Sequence, residues 1–214
     1  MMVEHGRGAL DDAMRSGDEA VDVGVDLFDT LSAEDPRFDA VVSELAVAFA
    51  GLSRVASDAG DDDRRAGLLR RADDVSARGD GPGATRARTA VAHEMTVHML
   101  DDVVARARSR RAAPETDDVA RVLVNTSAIV DLRRDLAVRS DPATYLDLAE
   151  SLFVHGRALA LGRNGQMAVD ALAESISLLD QFDGDAVDAE RARAVDELEL
   201  VGRTFPDVEL PDLD

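Results

Sequence analysis

The chain of 214 residues contains no cysteine, no lysine and no tryptophan, and its only aromatic residues are six phenylalanines and one tyrosine. Without cysteine it cannot form disulfides, thiolate metal sites or a cysteine nucleophile. So few aromatic rings, together with a formal net charge of −20, argue against a surface that stacks bases or binds phosphates. We therefore expect no nucleic-acid partner.

Long apolar runs are also missing. No stretch approaches the roughly 18 apolar residues that mark a membrane-spanning helix. The N-terminal residues MMVEHGRGALDD lack the apolar segment of a signal peptide. These absences predict a cytoplasmic protein with no membrane partner.

Charge of one sign dominates, with 44 acidic residues against 24 basic residues, all of which are arginine. This acid excess, with aspartate above glutamate and no lysine, resembles the proteins of extreme halophiles, especially haloarchaea that hold molar KCl inside the cell. At about 1 M salt the Debye length is only about 3 Å, so the repulsion between acidic groups is largely screened. The resemblance implies a halophilic, archaeal cytoplasm and says nothing about activity.

Apolar residues recur every three or four positions along nearly the whole chain, which predicts an all-α fold. Breaks at Gly60, at GDGPGAT (79–85), at 162–165 and around Gly184 divide this pattern into eight helices. Asp35-Pro36 and Asp141-Pro142 each offer an aspartate cap followed by a proline suited to the first helical position. The predicted helices are 8–31, 36–59, 62–78, 84–111, 114–139, 142–162, 165–182 and 185–204.

Residues 145–180 contain the most specific pattern in the chain. The positions that carry it are Leu152, Gly156, Leu159, Ala168, Leu172 and Ser175. Their spacing resembles the tetratricopeptide repeat, a helix–turn–helix of about 34 residues. We expect Gly156 and Ala168 to lie where two antiparallel helices approach most closely. His155, where leucine is usual, and the lack of a proline near Asp180 depart from the family pattern.

A weaker match lies about three repeat lengths earlier. Arg65 stands there in the place of Ala168, and the matching residues are Phe49, Ser53, Ala56, Leu69 and Ala72. The resemblance implies stacked antiparallel helical hairpins in one domain over 1–205. Its predicted parts are an N-terminal helix 8–31, hairpins 36–78, 84–139 and 142–182, and a capping helix 185–204, followed by an acidic tail 206–214. The alternative is an irregular helical bundle.

The stretch VAHEMTVHML (91–100) differs by one residue from the H-E-x-x-H zinc motif. Because residues rotate by about 100° along a helix, His93 and His98 diverge by about 140° and cannot hold one metal ion. His93 falls on an apolar seam with Ala90, Val97, Leu100 and Val104, so we expect it to be buried or half-buried. We expect His98 to lie on a polar stripe between Glu94 and Asp102, whose charges would raise its pKa. The sequence therefore predicts no metal and no cofactor.

Arg86 and His93, or Arg88 and His93, fit the short R-x(4–6)-H motif that resembles HEPN-type ribonucleases. This resemblance implies an all-α ribonuclease or toxin-type subunit as an alternative function. The basic run RARSRR (106–111) is expected to end a helix, where cations interact favourably with the last carbonyls; the other interpretation is an anchor for an acidic partner.

We expect a non-catalytic adaptor that binds another protein in a groove lined by the first helix of each repeat. By the resemblance, Phe153, Arg157 and Ala160 point into this groove, and Arg54 is the counterpart of Arg157. Two arginines on so acidic a chain favour a partner that bears a carboxylate, such as an extended segment or a chain terminus. Alternatively, both arginines pair with neighbouring acids. A third class of function is a self-assembling homodimer.

The acid excess generates a testable expectation about folding. At low salt the acidic groups repel one another over longer distances, so we expect partial unfolding below roughly 0.5 M KCl. Circular dichroism melts across a KCl series measure this. A melting temperature that does not change with KCl would contradict the halophilic interpretation.

Overall fold

The structure, a computed structural model, describes residues 2–137 and 142–211. Over these ranges it contains eight helices and no strand, so the predicted fold class is confirmed. Predicted and observed helices correspond one to one, and most ends differ by a few residues. The helices are α1 (Met2–Thr30), α2 (Phe38–Asp58), α3 (Asp62–Ser76), α4 (Pro82–Arg110), α5 (Thr116–Ala137), α6 (Pro142–Leu161), α7 (Gly165–Leu179) and α8 (Asp185–Thr204).

Helix α2 begins at Phe38 and not at the predicted residue 36, and the hydrogen bonds of Asp35 explain the difference. The Asp35 carboxylate accepts a hydrogen bond from the Arg37 N–H at 2.9 Å, and the Asp35 carbonyl accepts one from the Phe38 N–H at 2.9 Å. These bonds form a separate turn, so α2 begins after Pro36. The Arg37 side chain and N–H also hold the pKa of Asp35 at about 2. The predicted cap Asp141 lies outside the described residues.

The chain divides into two compact units, Met1–Met95 and Thr96–Asp214. In the first unit α1 packs on α2, and α2 on α3. In the second unit α5 packs on α6, α6 on α7 and α7 on α8, and α6 also contacts α8. The boundary between the units falls inside α4, and the single-domain expectation for residues 1–205 stays a prediction.

Helix α2 supplies much of the core of the first unit. Val42, Ala46 and Ala56 are fully buried and Phe49 is almost so. By length and apolar composition alone α2 passes the criterion for a membrane span, a property that the sequence analysis did not identify. The burial of these side chains against α1 and α3 is what a core helix requires.

The weaker repeat match also lies largely in this core. Phe49, Ser53, Ala56 and Ala72 are buried, as their alignment with the clear repeat implies. The fifth matched residue, Leu69, is only half-buried, and its neighbour Leu68 fills the core. The side chain of Arg65 is 11% exposed and reaches Asp62 at 3.4 Å, so this position does not allow the close helix approach that alanine would.

In the second unit, α6 and α7 approach each other closely at Gly156. A Cβ atom at this position would lie 2.7 Å from Leu172 Cγ and 3.3 Å from the Ala168 carbonyl oxygen, closer than ordinary van der Waals contact. Ser175 adds a hydrogen bond by donating its hydroxyl to the Ala149 carbonyl at 2.7 Å. The predicted packing is therefore confirmed, while membership of the repeat family stays a prediction. The buried residues of the pattern are Leu152, Gly156, Leu159, Ala168, Leu172 and Ser175.

The described part of the acidic tail is attached to the second unit. Phe205 and Val208 pack against its core, and the Glu209 N–H donates to Gln166 Oε1 at 3.0 Å. The aromatic ring of Phe205 also covers Gly165 at the start of α7. Apolar side chains thus hold residues 205–209 on α7 and α8 in spite of the local acidity.

The Gly156 contact predicts opposite effects for the same substitution at two helical glycines. Gly156→Ala should destabilise the chain by about 1–3 kcal/mol, because Leu172 must move to admit a methyl group. Gly51→Ala in α2 is the control, since its Cβ would meet no atom within 4 Å and alanine should stabilise the helix by about 0.5–1 kcal/mol. Thermal melts measure both; a stabilising Gly156→Ala would contradict the packing.

Candidate partner-binding groove

An open cavity of about 410 Å³ lies along α6 and α8 in the second unit. Two of its lining side chains come from α6 and five from α8, because α7 turns the chain back so that α8 contacts α6. Two of the predicted groove residues, Phe153 and Arg157, belong to it. The lining side chains are Phe153, Arg157, Arg193, Asp196, Glu197, Leu200 and Arg203.

Two guanidinium groups lie near the Phe153 ring. The Cζ of Arg193 lies 5.1 Å from the ring centroid, and the Cζ of Arg157 lies 5.8 Å from it. Both distances are within the range of a cation–π interaction, which favours a positive charge over an aromatic face. The aromatic ring thus holds two arginine side chains at the cavity wall.

The three lining arginines differ in their acidic partners. Arg157 reaches Asp101 at 3.3 Å, and Arg203 reaches Glu199 at 3.4 Å. Within the described ranges Arg193 is exposed, stacks on Phe153 and has no carboxylate at ion-pair distance. Its charge is therefore the one at the cavity most available to a bound anion.

The other two predicted groove residues lie elsewhere. Ala160 is half-buried and packs against the core formed by α5, α6, α7 and α8. Arg54 is on α2 in the first unit, where its guanidinium binds the carboxylate of Glu94, which is 9% exposed. Both predicted arginines thus contact acids, as the alternative interpretation expected, and Arg54 offsets the cost of burying Glu94.

The contribution of α8 to the cavity does not follow from the predicted role of this helix. A capping helix, as 185–204 is predicted to be, is expected to present a polar outer face rather than a binding surface. The available signal was its position in the chain, since a helix that follows a hairpin occupies the place of the first helix of a next repeat. Arg193, Leu200 and Arg203 would then have been candidates.

The residues of the ribonuclease motif are not arranged around an open site. His93 is only 1% exposed, as the predicted apolar seam required, and a buried imidazole cannot touch a substrate. The guanidinium of Arg88 donates to the carbonyls of Ser76, at 3.1 Å, and Gly79, at 3.0 Å, where it satisfies acceptors at the end of α3. Arg86 is half-buried on α4.

His98 is half-buried beside Asp102, whereas Glu94, the other acid predicted at its side on the surface, is buried and binds Arg54. His98 Nε2 lies 3.2 Å from Asp102 Oδ2, and the side chain is 33% exposed. The run 106–111 ends α4 at Arg110. Arg106 reaches Asp118 at 3.0 Å and Arg110 reaches Glu115 at 2.8 Å, so acids near the start of α5 neutralise two of its charges.

A smaller cavity of about 270 Å³ lies in the first unit between α1 and the segment that joins α2 to α3. Arg64 on its wall forms an ion pair with Asp18, and Asp61 accepts the Arg64 N–H at 3.0 Å as the cap of α3. Its polar groups serve the fold, so the cavity along α6 and α8 is the better candidate.

A polar contact joins α5 to α6, the helix that carries Phe153 and Arg157. His155 Nδ1 lies 2.8 Å from the hydroxyl of Thr126. Burial lowers the pKa of His155 below its ordinary value, the Arg134 charge lowers it further, and Asp131 partly opposes the change. The imidazole is therefore held in its neutral form at neutral pH.

A scan against protein-family models found no matching family, and searches of curated proteins and of solved structures found no match.

The environment of His155 predicts a pH dependence of stability. The unfolded chain binds a proton at His155 near the ordinary pKa of about 6.5, whereas the folded chain binds it only at lower pH. This contribution is thus fully present above about pH 6.5 and is lost as the pH falls below it. His155→Leu should reduce the loss of stability between about pH 7.5 and about pH 5.5, as measured by thermal melts. Equal losses in both proteins would contradict the assigned shift.

Proposed function

We propose that this protein is a non-catalytic adaptor that binds a protein or peptide partner in the cavity along α6 and α8. One observation carries the proposal: an open cavity of about 410 Å³ in which an aromatic ring and arginine side chains converge from two helices. Rings and guanidinium groups are the side chains that contribute most to binding at protein interfaces. The expected setting is a halophilic archaeal cytoplasm.

The order of helices in the second unit supports a repeat-like binding surface. α6 and α7 form a hairpin whose pattern resembles a tetratricopeptide repeat, and α8 packs on both helices of that hairpin. In stacked hairpin arrays, neighbouring first helices line the concave surface that binds partners. The cavity lies along α6 and α8, which would be the first helices of two neighbouring repeats in such an array.

The chemistry of the cavity favours a segment with a carboxylate beside an apolar side chain. Arg193 offers planar donors that match a carboxylate in a two-pronged hydrogen bond. Phe153 is half-buried, and Leu200 is 49% exposed, so both offer apolar surface beside this charge. Asp196 and Glu197 on the same wall would repel a second acid and would favour a basic or neutral neighbour in the partner.

The ribonuclease alternative has less support. Its histidine, His93, is 1% exposed, and an acid–base group must reach the reacting atoms to transfer a proton. An assay of RNA cleavage by the parent protein at high KCl, with His93→Ala as the comparison, tests this alternative separately.

The proposal predicts that Arg193 contributes to peptide binding. Peptides selected from a display library with free carboxyl termini should bind the parent chain, and Arg193→Gln should weaken binding about tenfold or more, because a charge-assisted hydrogen bond is lost. Fluorescence anisotropy in high KCl measures the affinity. Amidation of the selected peptide's terminus should cause a similar loss if that group is the ligand.

Arg163→Gln is the matched control, since Arg163 is exposed in the turn between α6 and α7 and does not line the cavity. It should leave binding unchanged. A selected peptide that binds Arg193→Gln and Phe153→Leu as tightly as the parent, or a library that yields no binder, would reject the groove.

A further inference from the structure

Helix α5 carries an exposed apolar stripe on the side opposite its core residues. Val124 is 68% exposed and Leu132 is 44% exposed, and the exposed Ala128 lies midway between them. Residues spaced by four lie within about 40° of one another on a helix, so the three side chains form one continuous strip. Val119, Val122, Ile129 and Val130 are buried on the other side.

Opposite charges stand at the two ends of this stripe. Arg121 and Asp135 are each seven positions from Ala128, about 10 Å along the axis, and lie within about 20° of it around the helix. Both side chains are exposed. In the part of the chain that the structure describes, neither forms an ion pair or a hydrogen bond, although most arginines of this acidic protein have an acidic partner.

We propose that the stripe Arg121–Val124–Ala128–Leu132–Asp135 is a homodimer interface in which α5 packs antiparallel on α5 of a second copy. A two-fold axis at Ala128 places Arg121 of one copy opposite Asp135 of the other, and the symmetry repeats this pair. The same axis places Val124 opposite Leu132. The small Ala128 side chains meet at the axis, where they allow the helices to come close.

A parallel arrangement would instead place Arg121 opposite Arg121 and Asp135 opposite Asp135. The charge order therefore selects a second antiparallel copy over other occupants, because every exposed group on the strip finds its complement in the same sequence.

The interface is independent of the proposed cavity, since its residues do not line that cavity. A single pair of helices buries less than the roughly 1,600 Å² of a standard interface, so the dimer should be weak and concentration-dependent. A high salt concentration should favour it, because two copies that each carry −20 repel one another at long range.

Sedimentation velocity of the full chain tests the interface with a charge exchange. The parent chain should sediment increasingly as a dimer as its concentration rises. In a dimer of the Arg121→Asp variant, each pair between positions 121 and 135 consists of two acids. In a dimer of the Asp135→Arg variant, each of these pairs consists of two arginines. Each variant should therefore associate at least tenfold more weakly than the parent. An equimolar mixture of the two should dimerise again, because both pairs are then complementary. The double variant should also dimerise.

Arg163→Asp and Asp183→Arg are the controls, since they change the charge by the same amounts at exposed positions outside α5. They should keep the association of the parent, and circular dichroism should show every variant folded at the KCl concentration used. The proposal is overturned if the parent stays monomeric up to about 1 mM, because a dissociation constant above that concentration is weaker than that of most specific complexes. It is equally overturned if the single variants dimerise like the parent, or if their mixture does not associate.

Discussion

The contact between Gly156 and Leu172 determines the arrangement of the second unit. Because Gly156 has no side chain, Leu172 occupies the space directly above the backbone of α6, and the two helices lie closer than any larger residue would allow. This approach places α7 against α6, so the turn that follows brings α8 onto both helices. The cavity lined by Phe153 and Arg193 exists because α6 and α8 become neighbours in this way. Binding in the groove, as proposed, thus depends on a helix contact made by a residue that does not line the cavity.

Arginine is the only strong base of the chain, and its planar guanidinium is used repeatedly against phenyl rings. Arg78 lies 4.1 Å from the centroid of Phe28, and Arg71 lies 4.4 Å from that of Phe49. Elsewhere arginines pair with the abundant acids, as Arg157 does with Asp101. Arg193 and Arg121 are among the exposed arginines that have no acidic partner in the described ranges. In the two proposals, a peptide carboxylate pairs with Arg193, and Asp135 of a second copy pairs with Arg121.

Features encoded by neighbouring residues could be predicted from the sequence, and features that depend on distant ones could not. Helix positions follow from the apolar period and from Gly and Asp signals, and the Gly156 packing follows from a pattern within one hairpin. The partner of Arg54 is Glu94 on another helix, which no local pattern reveals. The part that Arg193 plays in the cavity likewise depends on which side of α8 turns toward α6. The apolar face of α2 was missed as a membrane-like segment because scattered polar residues interrupt it.

A nuclear Overhauser spectrum of the full chain in high KCl tests the central claim most directly. The account predicts cross-peaks between the α-protons of Gly156 and the methyl groups of Leu172, and between the ring protons of Phe153 and the side chain of Arg193. Both cross-peaks together would establish the close helix approach and the groove that depends on it. A folded, helical chain without the Gly156–Leu172 cross-peak would contradict the account.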